Sequence, residues 1–307
     1  MKRLLPLFAA VVLLTPRPAN AIPVSFQTSP GASPGASSAQ STADIEAEGD
    51  ARFARRADGA VNGVALRPEV DAAIALYRKA RAQAPDDLDL LAKLIRALHF
   101  RGAYTGATPE EKKAIFEEGR DLGQAAIDRL EADAKAARGM SRVEFLRARK
   151  GAALLYLWTA GHWGEWALVR GKLAAARSGV AGRVRDLAQA VADIDPAFED
   201  AAGYRILGRL HSEAPKIPFI TGWVSHDKGV ELLRRSLAAA PSHPVTGFFL
   251  AEALLEHRAG DPQSRAEALR LLDQVARSNP RPGTLLEDRR YATMAAERLE
   301  ALRRAAR

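Results

Sequence analysis

LYRKARAQAPDD at residues 76–87, LRRSLAAAPSHP at 233–244 and LLDQVARSNPRP at 271–282 decide the fold. Each is an amphipathic run with apolar residues three and four apart, and each stops at a proline, Pro85, Pro241 or Pro280. Proline lacks the amide that a helix interior needs, and it pushes the preceding residue into extended geometry. Asp193-Ile194-Asp195-Pro196 punctuates the chain in the same way. After Pro85, Pro196 and Pro241 a second helical run begins: LAKLIRALHFRG, GYRILGRLHSEA and FFLAEALLEHRAG. After Pro280 the chain leads instead into one long closing helix.

Outward from these stretches the chain reads as helix after helix. The 3/4 periodicity predicts helices at 44–57, 68–83, 87–101, 109–137, 142–160, 163–176, 181–193, 198–213, 225–239, 245–257, 263–277 and 285–304, and no alternating β-branched run interrupts them. The paired helices follow the grammar of tetratricopeptide repeats. Ala73, Tyr77, Ala80 and Pro85 stand where that pattern wants small, aromatic, small and proline; Gly229, Leu233, Ser236 and Pro241 repeat it. The prolines at 196, 241 and 280 are spaced more widely than a repeat of about 34 residues, so the pattern is degenerate. The expected fold class is all-α, a degenerate tetratricopeptide-like helical-repeat solenoid. The segment LLEDRRYATMAAERLEALRR (285–304) would cap its end with a charged outer face.

Composition sets the outer bounds. The chain has 307 residues, 47% hydrophobic and 27% charged, which is ordinary globular composition. Cysteine is absent, which removes disulfides, iron–sulfur clusters, cysteine-ligated zinc and thiol nucleophiles. The net charge is +8. Lys2, Arg3 and Arg17 supply three of the positive charges from a segment expected to be removed, and the remainder is spread, so no nucleic-acid partner is expected.

Lys2 and Arg3 precede the apolar run Leu4 to Leu14, and Ala19-Asn20-Ala21 offers small residues for cleavage. Residues 1–21 are therefore expected to be a signal peptide cut after Ala21. With no cysteine to carry lipid, the exported product is not expected to be a lipoprotein, and the bacterial periplasm is its expected location. Residues 22–43 contain SPGASPGASS and are expected to form a flexible leader. The helical-repeat domain would span 44–307.

The middle of the chain departs from simple repeats. Tyr156 and Trp158, then Trp163 and Trp166, precede Asp195-Pro196-Ala197-Phe198, the run Gly203-Tyr204-Arg205-Ile206-Leu207-Gly208, and Ala240-Pro241. In that order these elements resemble the T component of TRAP-type transporters, over roughly residues 68–305. The resemblance implies a non-catalytic repeat protein working beside a periplasmic solute-binding protein. It also implies an apolar channel or pocket through the stack, oligomerisation, and no cofactor. Two features depart from the family: the lipid-bearing cysteine common among relatives is missing, and the loop at 214–224 is longer than a simple repeat turn.

Three groups of residues are candidates for binding. Trp158, His162 and Trp166 share one face of a helix, unless Gly161 and Gly164 interrupt it, and Trp163 lies beside them. They read either as the aromatic wall of a ligand pocket or as packing between repeats. Tyr204, Arg205 and Arg209 lie on one helix. The two arginines suit a carboxylate ligand, or else local pairing with Glu199, Asp200 or Glu213. The loop from Ala214 to Val224 carries Ile217, Phe219, Ile220 and Trp223, and either tucks into the concave groove or offers a partner surface. Because the loop and the Trp158–Trp166 segment both concentrate scarce aromatics, they are expected to border one cavity or surface. No His-Glu-x-x-His, Gly-x-Ser-x-Gly or phosphate-binding Gly-x-x-x-x-Gly-Lys motif is present, and the consecutive Ser225-His226-Asp227 makes no triad; the sequence reads as a non-enzyme.

Overall fold

The structure is a computed structural model, which describes residues 40–171 and 179–305. The expected signal peptide, residues 1–21, and all but the last residues of the expected leader lie outside the described residues. Twelve α-helices follow one another among those described: α1 (Thr42–Ala54), α2 (Arg67–Gln83), α3 (Leu88–Tyr104), α4 (Pro109–Ala136), α5 (Arg142–Arg147), α6 (Ala152–Arg170), α7 (Val180–Ile194), α8 (Phe198–Glu213), α9 (His226–Ala239), α10 (Pro244–His257), α11 (Pro262–Ala276) and α12 (Leu285–Ala305). Successive helices pack against each other throughout the described residues, as in a helical-repeat solenoid. No strand is present among the described residues, which hold only an isolated bridge between Val61 and Val64.

Local chemistry sets the boundaries. Helices α2, α7, α9 and α11 stop at Gln83, Ile194, Ala239 and Ala276, each just ahead of its proline. Thr108 with Glu111 and Ser141 with Glu144 form capping boxes at the starts of α4 and α5, and Asp87, Ser225 and Asp261 cap α3, α9 and α11 with their side chains. One expectation is corrected here. Gly161 and Gly164 do not break the chain into helices ending at 160 and starting at 163: α6 runs through both and ends at Gly171, whose φ of 87° only glycine adopts easily. The break falls earlier, between α5 and α6 at Gly151, whose backbone packs on Leu88 and Asp89.

Two kinds of helix alternate. The outer helices α2, α7, α9 and α11 bury one stripe; in α9 it is Gly229, Val230, Leu232, Leu233 and Ser236. The inner helices α6, α8 and α10 are buried almost all round, with every residue from Ala201 to Ser212 buried in α8 and every residue from Pro244 to Leu254 in α10. A helix lining an open groove keeps one face wet; a helix buried on all sides is enclosed. The inner helices α3, α6, α8, α10 and α12 also touch one another in succession.

The curl closes on itself. Leu286 of α12 joins the cluster of Phe53, Val70, Tyr77, Leu98, Phe100 and Tyr104 from the first helices. Arg56, just past α1, pairs with Glu287 at 3.1 Å, both about 5% exposed, and also donates to the Gly283 carbonyl. Arg290 donates to the Ala103 carbonyl at 2.9 Å and lies 4.0 Å over the Tyr104 ring. The closing helix therefore does more than cap an end: its first turns bridge the last repeat to the first.

Candidate functional site

The predicted residues fall into three settings. Trp158, 4% exposed, and His162, fully buried, face inward. The His162 ring lies 5.6 Å from that of His99, and His99 lies 5.0 Å from Trp158. His162 Nε2 bonds the Ile95 carbonyl at 2.9 Å, and burial pushes its pKa down to about 4, so it is neutral. A Cβ on Gly119 would meet the His162 ring at 2.1 Å, so α4 is glycine there to let that ring in. Trp163 and Trp166 turn toward α4, with indole nitrogens donating to Gln124 and Glu117 at 3.1 Å and the Arg120 guanidinium 5.2 and 4.6 Å over their rings. Trp166 is 8% exposed and belongs to the core.

The arginines of α8 are already engaged. Fully buried Arg205 donates to the carbonyls of Asp200 at 3.0 Å and Glu199 at 3.2 Å. Those carbonyls belong to an unusual turn: Glu199, Asp200 and Ala201 have φ of 49°, 58° and 57°. Left-handed geometry costs a non-glycine residue about 1–2 kcal/mol. Arg205 and the Ser236 hydroxyl, which donates to Ala201 at 3.2 Å, hold the turn in place. Arg209 pairs with Glu213 at 2.7 Å. Tyr204 packs under Arg235, whose guanidinium lies 4.0 Å over its ring. Local partners thus hold both arginines, with Arg205 Nε left without a hydrogen-bond partner.

The loop at 214–224 presents a different picture. Thr221, 2% exposed, accepts from the Ile217 amide at 2.9 Å and donates to the Pro215 carbonyl, and the Ile217 carbonyl accepts from Ile220 and Thr221. This frame pushes Phe219 fully into solvent at a φ of 63°, with Ile220 47% exposed beside it. Trp223, half-buried, turns back to His211, with ring centroids 5.3 Å apart, and lies under Arg185 at 4.6 Å. Behind the loop His226 and His257 stack at 3.7 Å, a proximity that their spacing in sequence does not signal. Among the described residues, no group of three or more side chains is arranged to hold a metal ion.

Sequence reasoning missed the ring's axis. Arg56, Arg96, His99, Tyr104, Glu165 and Glu287 converge there from four elements. His99 Nε2 lies 3.9 Å from Glu165 Oε1, and neither atom has a hydrogen-bond partner. Burial pushes the Glu165 carboxyl up to about 8 against the pull of Arg290 and Lys112, and pushes His99 well below its ordinary value. One signal was available: Glu165 is the one acid in the largely apolar run from 152 to 169.

No family model and no curated protein matches the sequence. Among solved structures, the chain is similar to one described as "TPR2AB-domain:pHSP90-complex of yeast Sti1", with 14% identity and a TM-score of 0.26, covering 83% of this chain and 98% of that chain.

Proposed function

We propose that the chain is a non-catalytic protein-interaction scaffold that engages its partner through the 214–224 loop rather than through a concave groove. The observation that carries this is the fully exposed Phe219 on a hydrogen-bonded frame. A rigid, pre-organised aromatic is the typical anchor of an interface, because little entropy remains to be lost on binding. Held at positive φ, it also spends folding energy on a posture that brings no contact within the chain.

The finer reading follows the resemblance. The chain is exported to the periplasm after cleavage at Ala21 and acts there beside a solute-binding protein, as a TRAP-type T component would. Its support is the order of the tryptophan-bearing α6, the Asp195-Pro196 turn, the Gly203-Tyr204-Arg205 helix and the Ala240-Pro241 end. The test is a binding isotherm against a solute-binding protein encoded beside a TRAP-type permease and this gene. Binding that Phe219→Ala weakens more than tenfold supports the reading; tight binding indifferent to that change overturns the loop's role. No binding, or no such neighbouring genes, overturns the transport role. Intact mass of exported material beginning at Met1 instead of Ile22 overturns the export route.

A further inference from the structure

We propose that the axis of the ring holds a binding site for a small monovalent anion of halide size, set against Arg96. The site is a pocket of about 10 Å³, room for a single small occupant, lined by Phe53, Arg56, Arg96, His99, Phe100, Tyr104, Trp158 and Glu287.

The case begins with charge. Arg96 has no carboxylate within salt-bridge distance among the described residues; Glu199 and Glu287 act on it only from farther away. Its guanidinium, on a half-buried side chain, rests on the Phe53 ring at 4.8 Å and near Trp158 at 6.0 Å, which offsets only part of its charge. Beside it stands a second guanidinium, Arg56, whose own carboxylate partner is Glu287. Both cations lie against the Phe53 ring, at 4.5 and 4.8 Å from its centre, with one carboxylate between them in the lining. Burial and the like charge of Arg56 together push Arg96 down to about 10, which still leaves it charged at neutral pH.

Hydrogen bonding points the same way. Arg56 Nε and Trp158 Nε1 are buried donors that line the pocket and have no acceptor. Buried donors without partners are rare in native proteins, and an indole N–H can only donate. One anion would accept from both and neutralise Arg96. A water molecule would satisfy the N–H groups but leave the charge. Glu287 Oε2 is an unpartnered carboxylate oxygen of the same lining, and its repulsion would hold the anion on the Arg96–Trp158 side, away from the Arg56–Glu287 pair.

Thermal melts in sodium chloride, sodium bromide and sodium gluconate at equal ionic strength test this on the purified protein. Chloride and bromide are expected to raise Tm along a saturating curve that gluconate does not produce. Arg96→Met and Trp158→Phe are expected to weaken the apparent halide affinity at least tenfold, and Arg96→Lys to retain most of it. Crystals of the wild-type protein grown in bromide should show an anomalous peak between Arg96 and Trp158 Nε1. A pocket that is empty or holds water in those crystals overturns the site. So does a halide response that Arg96→Met leaves unchanged. The bromide experiment uses the native chain, so it decides the matter even where a variant fails to fold.

Discussion

Helices α8 and α9 are neighbours of similar length, yet they obey different rules. In α9 one stripe is buried and the opposite face carries Glu231, Arg234 and Arg235 in solvent. In α8 every residue from Ala201 to Ser212 is buried, including Arg205 and Arg209. The outer helix needs only an apolar stripe, which periodicity reveals. The inner helix must also find partners for its polar groups within the protein: Arg205 takes two carbonyls of a left-handed turn just before it, and Arg209 takes Glu213. Helix periodicity therefore reads the outer layer well and the inner layer poorly.

The sharpest way to break this comparison is to make the same substitution in both layers. A Cβ on Gly208 would meet Leu233 Cγ at 2.6 Å and backbone atoms of Leu233 and Gly229 at 2.9 and 3.0 Å. Backbone cannot yield as a side-chain tip does. Gly208→Ala is expected to cost about 3 kcal/mol or more, read as a lower denaturation midpoint. Gly182 in outer α7 has nothing within 4 Å of its would-be Cβ, so Gly182→Ala is expected to stabilise by up to about 1 kcal/mol. Equal effects would erase the distinction between the layers.

Arginine offers a second contrast. Arg205→Met strands the carbonyls of Glu199 and Asp200 in a left-handed turn, at an expected cost of about 2–3 kcal/mol. Arg234 also makes an ion pair, 2.6 Å from Glu267, but it is half exposed. Arg234→Met is expected to cost under about 1 kcal/mol. A melting series on both variants checks the ratio.

What could be read in the sequence divides along the same line. Pro85, Pro196, Pro241 and Pro280 mark real helix ends, because a proline acts on its own backbone neighbours. Gly229 and Ser236 were legible as close-packing positions, and Gly229 does meet Gly208 and Ser212 across the α8–α9 contact. Closure of the ring by Arg56 and Glu287 was not legible, since nothing local to residue 56 names a partner 231 positions away. The left-handed turn at Glu199–Ala201 contains no glycine to announce it. The tryptophans looked alike in sequence, and the structure sends Trp158 to the axis, Trp166 to the core beside α4 and Trp223 to the foot of the loop.

The inner layer should also set the pH dependence. His162 and His211 are each lowered to about 4 by burial, from an ordinary 6.5, so between those values the unfolded chain binds protons that the fold refuses. Stability therefore rises as pH climbs from about 4 to 6.5. Glu165 has the opposite sign: its folded value of about 8 exceeds the ordinary 4.5, so the fold holds a proton that the unfolded chain has lost. Its stabilisation is present at low pH and is lost as pH rises to about 8, at up to about 1.4 kcal/mol per unit. A stability maximum near pH 6.5 is expected. Glu165→Gln should flatten the decline between 6.5 and 8 and steepen the rise between about 4.5 and 6.5, where Glu165 opposes the histidines. An unaltered alkaline limb in that variant would place Glu165 in contact with water.

The smallest expected effect on stability belongs to the residue proposed to matter most for binding. Phe219 contributes no burial to the fold, and its backbone sits at a φ that glycine adopts without penalty. Phe219→Gly removes the ring and relieves the backbone, while the greater freedom of an unfolded glycine works against that relief. The change in stability should stay within about 1 kcal/mol of zero. Thr221→Val makes the complementary test, because it keeps Phe219 but removes the hydroxyl that holds the loop. If the anchor works through pre-organisation, both variants lose partner binding: Phe219→Gly for want of the ring, Thr221→Val because the loop must be ordered again at each encounter. If only the ring's apolar surface matters, Thr221→Val binds normally and Phe219→Gly alone fails. A binding isotherm and a melting curve on the two variants separate these outcomes, and normal binding by both would remove the loop from the interface.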